Sequence, residues 1–277
     1  MKKVFCLKKI CIINQKGGVG KTTVTVNLAA GLARAGKKVL LIDLDPQGNL
    51  ATCLPIHEEK KNMYHILVEN ANPLECIHRV AINLDLIASD EQLTKTEILL
   101  ASEPAREYVL SKKLKSIKKY DYVFVDCPPS LGLLNQNALL YCQEAYIPVS
   151  TDTLGIDALQ KMEKAIEVLN DVFSHELSIG KIIPTLYDKR NKICRVSLAE
   201  LQNMSYEKVT NPIRMNSKIK ECVKKQKSIF SYAPSSLGAQ DFKELVKNIL
   251  YESDNFEADA TLSVDIKEGK KAVSSKS

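Results

Sequence analysis

The chain has 277 residues, of which 45% are hydrophobic and 26% charged, and its formal net charge is +6. These values are ordinary for a soluble globular protein with one large α/β domain or two small ones, and no apolar run approaches the roughly 18 residues of a transmembrane helix. The eight cysteines form no Cys-x-x-Cys pair, which argues against a disulfide framework or a zinc site and indicates a reducing cytoplasm.

The first elements predict a strand–helix–strand unit. Residues 10–14 are a short apolar run that stops at a glycine-rich loop. Residues 22–35 place apolar side chains at helical spacing and are followed by Gly36, and residues 39–43 form a second apolar run that ends in an acid. Such a unit implies a parallel sheet with a right-handed crossover.

The alternation of strands and helices continues along the chain. The patterns predict further strands at 84–88, 122–126, 145–149 and 179–184, and helices at 104–119, 133–142 and 156–173. The fold class expected is therefore α/β, a mostly parallel twisted sheet flanked by helices. Residues 1–250 are predicted to form this single domain, and residues 251–277, which are polar and charged, a disordered C-terminal tail.

The glycine-rich loop has the pattern of a phosphate-binding loop. It reads Lys16-Gly17-Gly18-Val19-Gly20-Lys21-Thr22-Thr23 and lies between a predicted strand and a predicted helix, the context that this motif requires. Its glycines allow the backbone N–H groups to surround an anion at the helix N-terminus. Lys21 is expected to reach the β- and γ-phosphates of ATP, and Thr22 to offer its hydroxyl to Mg²⁺.

The loop departs from the common pattern at its start. Gln15 stands where glycine is usual, and Lys16 adds a second lysine. Because Lys21 already serves the bound nucleotide, Lys16 could instead reach across a dimer interface to the phosphates of a partner, as an arginine finger does.

Two acidic segments are predicted at the carboxyl edge of the same sheet, where ligands of parallel sheets bind. Asp45 lies in the segment that leaves the second strand, and it is our candidate for orienting the attacking water. Asp126 ends a later apolar strand and is expected to hold Mg²⁺, through water. Alone, each acid would be better explained as a strand-end turn residue or a helix cap. The presence of both acids and the phosphate-binding loop at one edge reverses that preference and favours the catalytic interpretation.

These segments resemble those of a known family. The loop at 16–23, Asp43-x-Asp45-Pro46-Gln47 and Asp126-x-Pro128-Pro129-Ser130 are similar to the deviant Walker A, Walker A′ and Walker B motifs of the ParA/Soj partition ATPases. The likeness continues through residues 183–188 and 232–240 and spans nearly all of residues 8–250.

The resemblance implies an enzyme that hydrolyses ATP with Mg²⁺ and forms a homodimer on ATP binding. It implies non-specific double-stranded DNA as a ligand, a ParB-type protein that stimulates hydrolysis, and a cytoplasmic, nucleoid-associated location in the ATP state without a stable membrane anchor. Lys16 would then be the cross-subunit lysine, Asp45 the catalytic acid, and Asn216 a contact to the base.

Basic residues near the C-terminus are the candidates for DNA binding. Residues 218–227 contain five lysines and one glutamate, and a second group lies near 190. Lysine at these spacings suits phosphate contact and not base recognition, although a solvated helix face has the same pattern. The candidates are Lys189, Arg190, Lys218, Lys220, Lys224, Lys225 and Lys227.

Three alternatives share parts of this pattern. A MinD-like ATPase that cycles on the membrane would need a C-terminal amphipathic helix, and residues 255–277 show none. An iron–sulfur relative would need suitably placed cysteines, whereas Cys127 is more simply a small packed residue. A scaffold that only binds ATP would not need Asp45.

Overall fold

The computed structural model describes residues 7–56, 60–205 and 207–251. Seven strands form one sheet in the order β3-β4-β2-β5-β1-β6-β7. The strands are β1 Lys8–Ile12, β2 Val39–Asp43, β3 Ile77–Ala81, β4 Leu84–Ile87, β5 Tyr122–Asp126, β6 Glu144–Ser150 and β7 Ser178–Thr185. All neighbours pair in parallel except β3 and β4. The prediction of a mostly parallel sheet is confirmed; the antiparallel edge strand β3 was not predicted.

Helices cover both faces of the sheet. They are α1 Lys21–Arg34, α2 Asn49–Cys53, α3 Met63–Leu67, α4 Thr96–Leu100, α5 Val109–Lys113, α6 Leu133–Tyr141, α7 Thr153–Phe173, α8 Lys192–Ser205, α9 Ser217–Lys224, α10 Ile229–Tyr232 and α11 at 237–251. Short 3₁₀ segments lie at Pro73–Cys76, Glu91–Lys95, Arg106–Tyr108 and Leu114–Ser116.

The core has two layers because alternate residues of each strand face opposite sides. In β1, Cys11 packs with the side of the sheet that carries α3, α5, α6 and α7, whereas Ile10 and Ile12 pack with α1 and α11. All five residues of β2 and of β5 are buried, as strands covered on both faces require.

The predicted helix at 104–119 is wrong. The segment divides into a 3₁₀ turn, the short helix α5 and a second 3₁₀ turn. The side chain of Asn137 from α6 accepts a hydrogen bond from Leu110 N at 2.9 Å and donates one to Arg106 O at 2.9 Å. These two bonds replace the Leu110-to-Arg106 backbone bond of a continuous helix, so tertiary contact overrides the local pattern.

The polar tail predicted at 251–277 lies outside the described residues from 252 onward; Tyr251 itself is helical. In the part of the chain that the structure describes, no helix is long and apolar enough to cross a membrane.

Candidate nucleotide-binding site

The glycine-rich loop connects β1 to α1 at the carboxyl edge of the sheet, as predicted. Gly18 and Gly20 have φ values of 73° and 92°, in the left-handed region that favours glycine. Gly20 is the N-cap of α1, no side chain caps the helix, and its first turn contains no acid. The first N–H groups of α1 therefore remain available for an anion, and the helix dipole favours negative charge there.

Lys21 lies in the first turn of α1 and is buried, with 8% of its surface exposed. Burial lowers the pKa of its ammonium group, and the nearby carboxylates of Asp126 and Asp45 partly oppose that shift. The two predicted acids thus lie close enough to Lys21 to act on its charge. A buried cation beside an open helix N-terminus suits the terminal phosphates of a nucleotide.

Asp126 is held against the first turn of α1. Its Oδ2 accepts a hydrogen bond from Thr22 Oγ1 at 2.7 Å, and its Oδ1 accepts one from Thr25 Oγ1 at 2.9 Å. A hydroxyl and a carboxylate are the hard oxygen donors that Mg²⁺ prefers, and Mg²⁺ usually takes one or two carboxylates together with substrate phosphates. Thr22 and Asp126 could therefore supply a hydroxyl and a carboxylate to an ion whose other ligands are nucleotide phosphates and water. Among the described residues, no group of three or more His, Cys, Asp or Glu could hold a metal ion.

The pKa of Asp126 is raised to about 6, first by burial, although the hydroxyls of Thr22 and Thr25 and the charge of Lys21 oppose the shift. Asp43 ends the neighbouring strand β2 in register with Asp126. Burial, and then the charge of Asp126, raise the pKa of Asp43 well above its usual value. Two buried carboxyls at adjacent strand ends repel each other, and a bound cation would relieve this repulsion.

Replacing Asp126 with asparagine is expected to stabilise the Mg²⁺-free protein at alkaline pH. The carboxyl has a pKa of 3.8 when exposed and about 6 when folded, so the folded state holds the extra proton between these values and loses stability as pH rises through them. The free energy of unfolding of the variant should therefore exceed that of wild type by roughly 2 to 3 kcal/mol at pH 8, and the two should differ little at pH 4.

Thermal or denaturant unfolding in EDTA at several pH values measures this difference, and replacement of the exposed Asp157 on α7 by asparagine is the matched control. If the difference in unfolding free energy between wild type and the Asp126 variant does not change with pH, the raised pKa of Asp126 is contradicted.

Asp45 lies in the loop between β2 and α2. Its Oδ1 accepts a hydrogen bond from Gln47 N at 3.0 Å, and its carbonyl accepts one from Ser89 Oγ at 2.6 Å. Asp43 fixes the same loop from beneath, since its carboxylate accepts hydrogen bonds from Asp45 N and Leu50 N, each at 3.0 Å. The sequence identified Asp43 only as part of a motif; the structure makes it the anchor that positions Asp45.

Lys16 is turned toward the corner between β6 and α7. Its Nζ donates to both carboxylate oxygens of Asp152 at 2.7 and 2.8 Å and to Ser150 Oγ at 3.0 Å. Partial burial raises the pKa of Asp152, but the hydrogen bonds from Lys16 and Ser150 outweigh it and the net shift is downward. In a single chain, therefore, Lys16 has an intramolecular partner, which the sequence did not reveal.

Two further polar residues hold the loop in place. Asn14 is fully buried; its Oδ1 accepts a hydrogen bond from Lys16 N at 2.9 Å, and its Nδ2 donates to Pro148 O at 2.8 Å. Thr185 Oγ1 donates to Val19 O at 2.7 Å. The ends of β6 and β7 thus fix both halves of the loop, contacts of high sequence separation that no local motif indicates.

Asn216 is the N-cap of α9, and its Oδ1 accepts a hydrogen bond from Lys218 N at 2.8 Å. This bond uses one lone pair of Oδ1, so Nδ2 and the second lone pair of Oδ1 could still contact a base.

The basic candidates divide into paired and unpaired groups. Arg190 forms an ion pair with Asp188 at 2.8 Å, and Lys218 one with Glu221 at 2.8 Å. Lys220 and Lys224 are exposed one turn apart on α9. Within 7–56, 60–205 and 207–251, no carboxylate pairs with Lys189, Lys220, Lys224, Lys225 or Lys227. These five are the better candidates for an anionic ligand.

The chain is similar to known proteins in both sequence and structure. The family model described as an AAA domain matches residues 7–179. The sporulation initiation inhibitor protein Soj of Bacillus subtilis is 37% identical over 247 residues, 87% of this chain and 98% of the relative. The chromosome-partitioning ATPase Soj of Treponema pallidum is 34% identical over 88% of this chain and 97% of its own. The septum site-determining protein MinD of Pyrococcus horikoshii, solved with Mg-ADP, has a TM-score of 0.74 at 26% identity and covers 88% and 96% of the two chains.

Proposed function

Because this chain belongs to the Soj/ParA family of chromosome-partitioning ATPases, we propose that it is an ATP-dependent switch that dimerises, binds DNA without sequence preference and resets by hydrolysis. The observation that carries the proposal is the joint placement of Lys16, Lys21 and Asp126 at one sheet edge. Lys21 and Thr22 would hold the phosphates and Mg²⁺ of one ATP, and Asp126 would complete the metal site.

Hydrolysis requires a water molecule aligned with the terminal phosphate. The charge of Asp45 acts on Lys21, and Asp43 and Ser89 fix the loop that carries Asp45. Its carboxylate would orient that water. Mg²⁺, when bound, would neutralise charge on the phosphates, as it does in other phosphoryl-transfer enzymes. The protein side chains would supply the other contributions to hydrolysis, which are orientation of the reacting groups and exclusion of bulk water.

Lys16 is the residue that we expect to drive dimerisation. Its ammonium group is surplus to the needs of one nucleotide, since Lys21 occupies the buried position beside the loop. When a second copy presents its phosphates, Lys16 would exchange the Asp152 carboxylate for a more highly charged partner. ATP, with one phosphate more than ADP, favours this exchange, so the dimer would form in the ATP state.

DNA binding is supported by the lysines of α9 and the turn after it. Ile219 and Cys222 face the core, which leaves Lys220 and Lys224 toward solvent. Such side chains bind phosphates and do not read bases, so the affinity should depend on salt and not on sequence. A ParB-type partner that accelerates hydrolysis completes the proposed cycle.

The variant Lys220→Glu/Lys224→Glu is expected to lose DNA affinity at every sequence tested. Removing two phosphate contacts should reduce the slope of log affinity against log salt by about 2, because each contact releases about one counterion. Anisotropy titrations of a random-sequence duplex in ATP and Mg²⁺ measure both quantities. An equal charge change at Lys115 and Lys118, which are exposed on the other side of the sheet, is the control. An unchanged slope in the α9 variant would exclude these two lysines from the interface.

A further inference from the structure

A groove of about 640 Å³ runs between α6 and α7, on the face of the sheet opposite α9 and α11. Its floor includes Leu139 and Leu169, and three apolar side chains at its edge are unusually exposed: Leu131 at 46%, Val168 at 53% and Val172 at 68%. Soluble proteins rarely leave apolar side chains clustered in this way unless something covers them. The groove therefore has the character of an interaction surface.

Most of the charged side chains that line this groove are basic. Arg106, Lys161 and Lys164 line it together with a single acid in the described chain, Glu107, whose carboxylate accepts a hydrogen bond from Arg106 Nε at 3.1 Å. Lys161 and Lys164 lie one turn apart on α7, are exposed, and have no carboxylate partner within the described ranges. An occupant with carboxylates on one flank would match these lysines.

The shape of the groove selects a helix as the occupant. Most of its lining side chains belong to α6 and α7, and the others to loops and a 3₁₀ segment. None lies in a strand, so an extended peptide would find no strand edge to pair with among the lining residues. The lining residues of α7 recur at helical spacing from Lys161 to Val172, a length of roughly 17 Å or three helical turns. An amphipathic helix of about twelve residues would fill that length with apolar anchors at positions i, i+4 and i+7.

We propose that the α6–α7 groove binds an acidic amphipathic helix of a partner protein. The groove lies on the face of the sheet opposite the α9 lysines, and two of its lining residues belong to loops of the candidate nucleotide-binding site. Gln15, which precedes Lys16, lines one end, and Leu131, which follows the Asp126 loop, lines the edge. A helix bound there contacts two segments that would reorganise with nucleotide, so its affinity should differ between ATP and ADP. This last step rests on the proposed function; the binding itself does not.

The test uses the full chain and a labelled eighteen-residue probe peptide with leucines at helical spacing and glutamates on one flank, followed by fluorescence anisotropy without nucleotide or DNA. The variant Lys161→Glu/Lys164→Glu should bind at least about tenfold more weakly, since two attractive rim charges become repulsive. Val168→Glu/Val172→Glu should bind at least about thirtyfold more weakly, because the peptide would bury unpaired carboxylates. Lys115→Glu/Lys118→Glu should bind as wild type does.

Several results would overturn the proposal. Equal affinity in wild type and both groove variants would do so, as would equal binding of a peptide whose leucines are all replaced by serine, which would show attraction by charge alone. Two further measurements identify a different occupant. If sedimentation shows that Val168→Glu/Val172→Glu changes the self-association of the chain, the occupant is a second copy. If Lys161→Glu/Lys164→Glu loses binding to vesicles of anionic lipid that wild type binds, the occupant is a membrane. Intact DNA binding in the groove variants would show that the proposed function stands whichever outcome is found.

Discussion

Replacing Lys16 with alanine is expected to abolish ATP-dependent dimerisation while the chain still binds nucleotide. Lys16 would supply the cation that meets the phosphates of the partner, and truncating one member of a buried interfacial charge pair costs about 2 to 5 kcal/mol. The dimer should therefore weaken by at least about thirtyfold. Lys21 and Thr22 remain in place, so the affinity for Mg-ATP should change little. Sedimentation velocity in ATP and a fluorescent nucleotide titration measure the two quantities separately.

The matched variant is Asp152→Ala, which removes the carboxylate that holds Lys16 at 2.7 Å in a single chain. Freed of that partner, Lys16 should support dimerisation at least as well as in wild type, so the dimer should not weaken. Loss of dimerisation in the Asp152 variant alone, with Lys16→Ala dimerising normally, would reverse the roles assigned to these two residues.

Replacing Asp45 with alanine is expected to lower the turnover of ATP by roughly 10²- to 10⁴-fold, the range for loss of a group that orients or deprotonates the nucleophile. Binding of Mg-ATP should persist because Lys21, Thr22 and Asp126 are untouched. The ATP-bound dimer would then accumulate on DNA. Steady-state release of phosphate and the lifetime of the DNA complex measure the two effects.

Asp45→Asn separates chemistry from loop structure. Asparagine keeps an oxygen that can accept the hydrogen bond from Gln47 N, which Asp45 Oδ1 accepts at 3.0 Å, but it has no charge. If the carboxylate acts on water, both variants should be equally slow. Near-normal turnover in Asp45→Asn would show that the reaction does not need the negative charge of Asp45, because an amide oxygen can still accept hydrogen bonds from water and from Gln47 N.

The local parts of this site could be predicted from the sequence. The bounds of β2 and β5 match the predicted runs because fully buried parallel strands are continuous apolar stretches, each ended here by an acid. The phosphate-binding loop was equally clear, because its glycines and Lys21 carry their chemistry within eight consecutive residues.

The parts that depend on distant contacts could not be predicted. Asp152 is 136 residues from Lys16, and Thr185 is 166 residues from Val19, so neither pairing leaves a local pattern. β3 is a short edge strand with a register shift between Arg79 and Ala81, and its mixed exposure lacks the alternation that marks a strand. The helix expected at 104–119 has a helical pattern, but Asn137 interrupts its backbone bonding.

The proposed cycle requires ATP to switch this chain onto DNA. The most direct measurement is the affinity of the full chain for a random-sequence duplex in Mg-ATP and in Mg-ADP, each at about 50 and about 200 mM salt. We predict tight binding only in ATP at low salt, with a loss of at least tenfold at the higher salt. Equal affinity in the two nucleotide states would contradict this cycle, and so would binding to anionic vesicles in ATP without any binding to DNA.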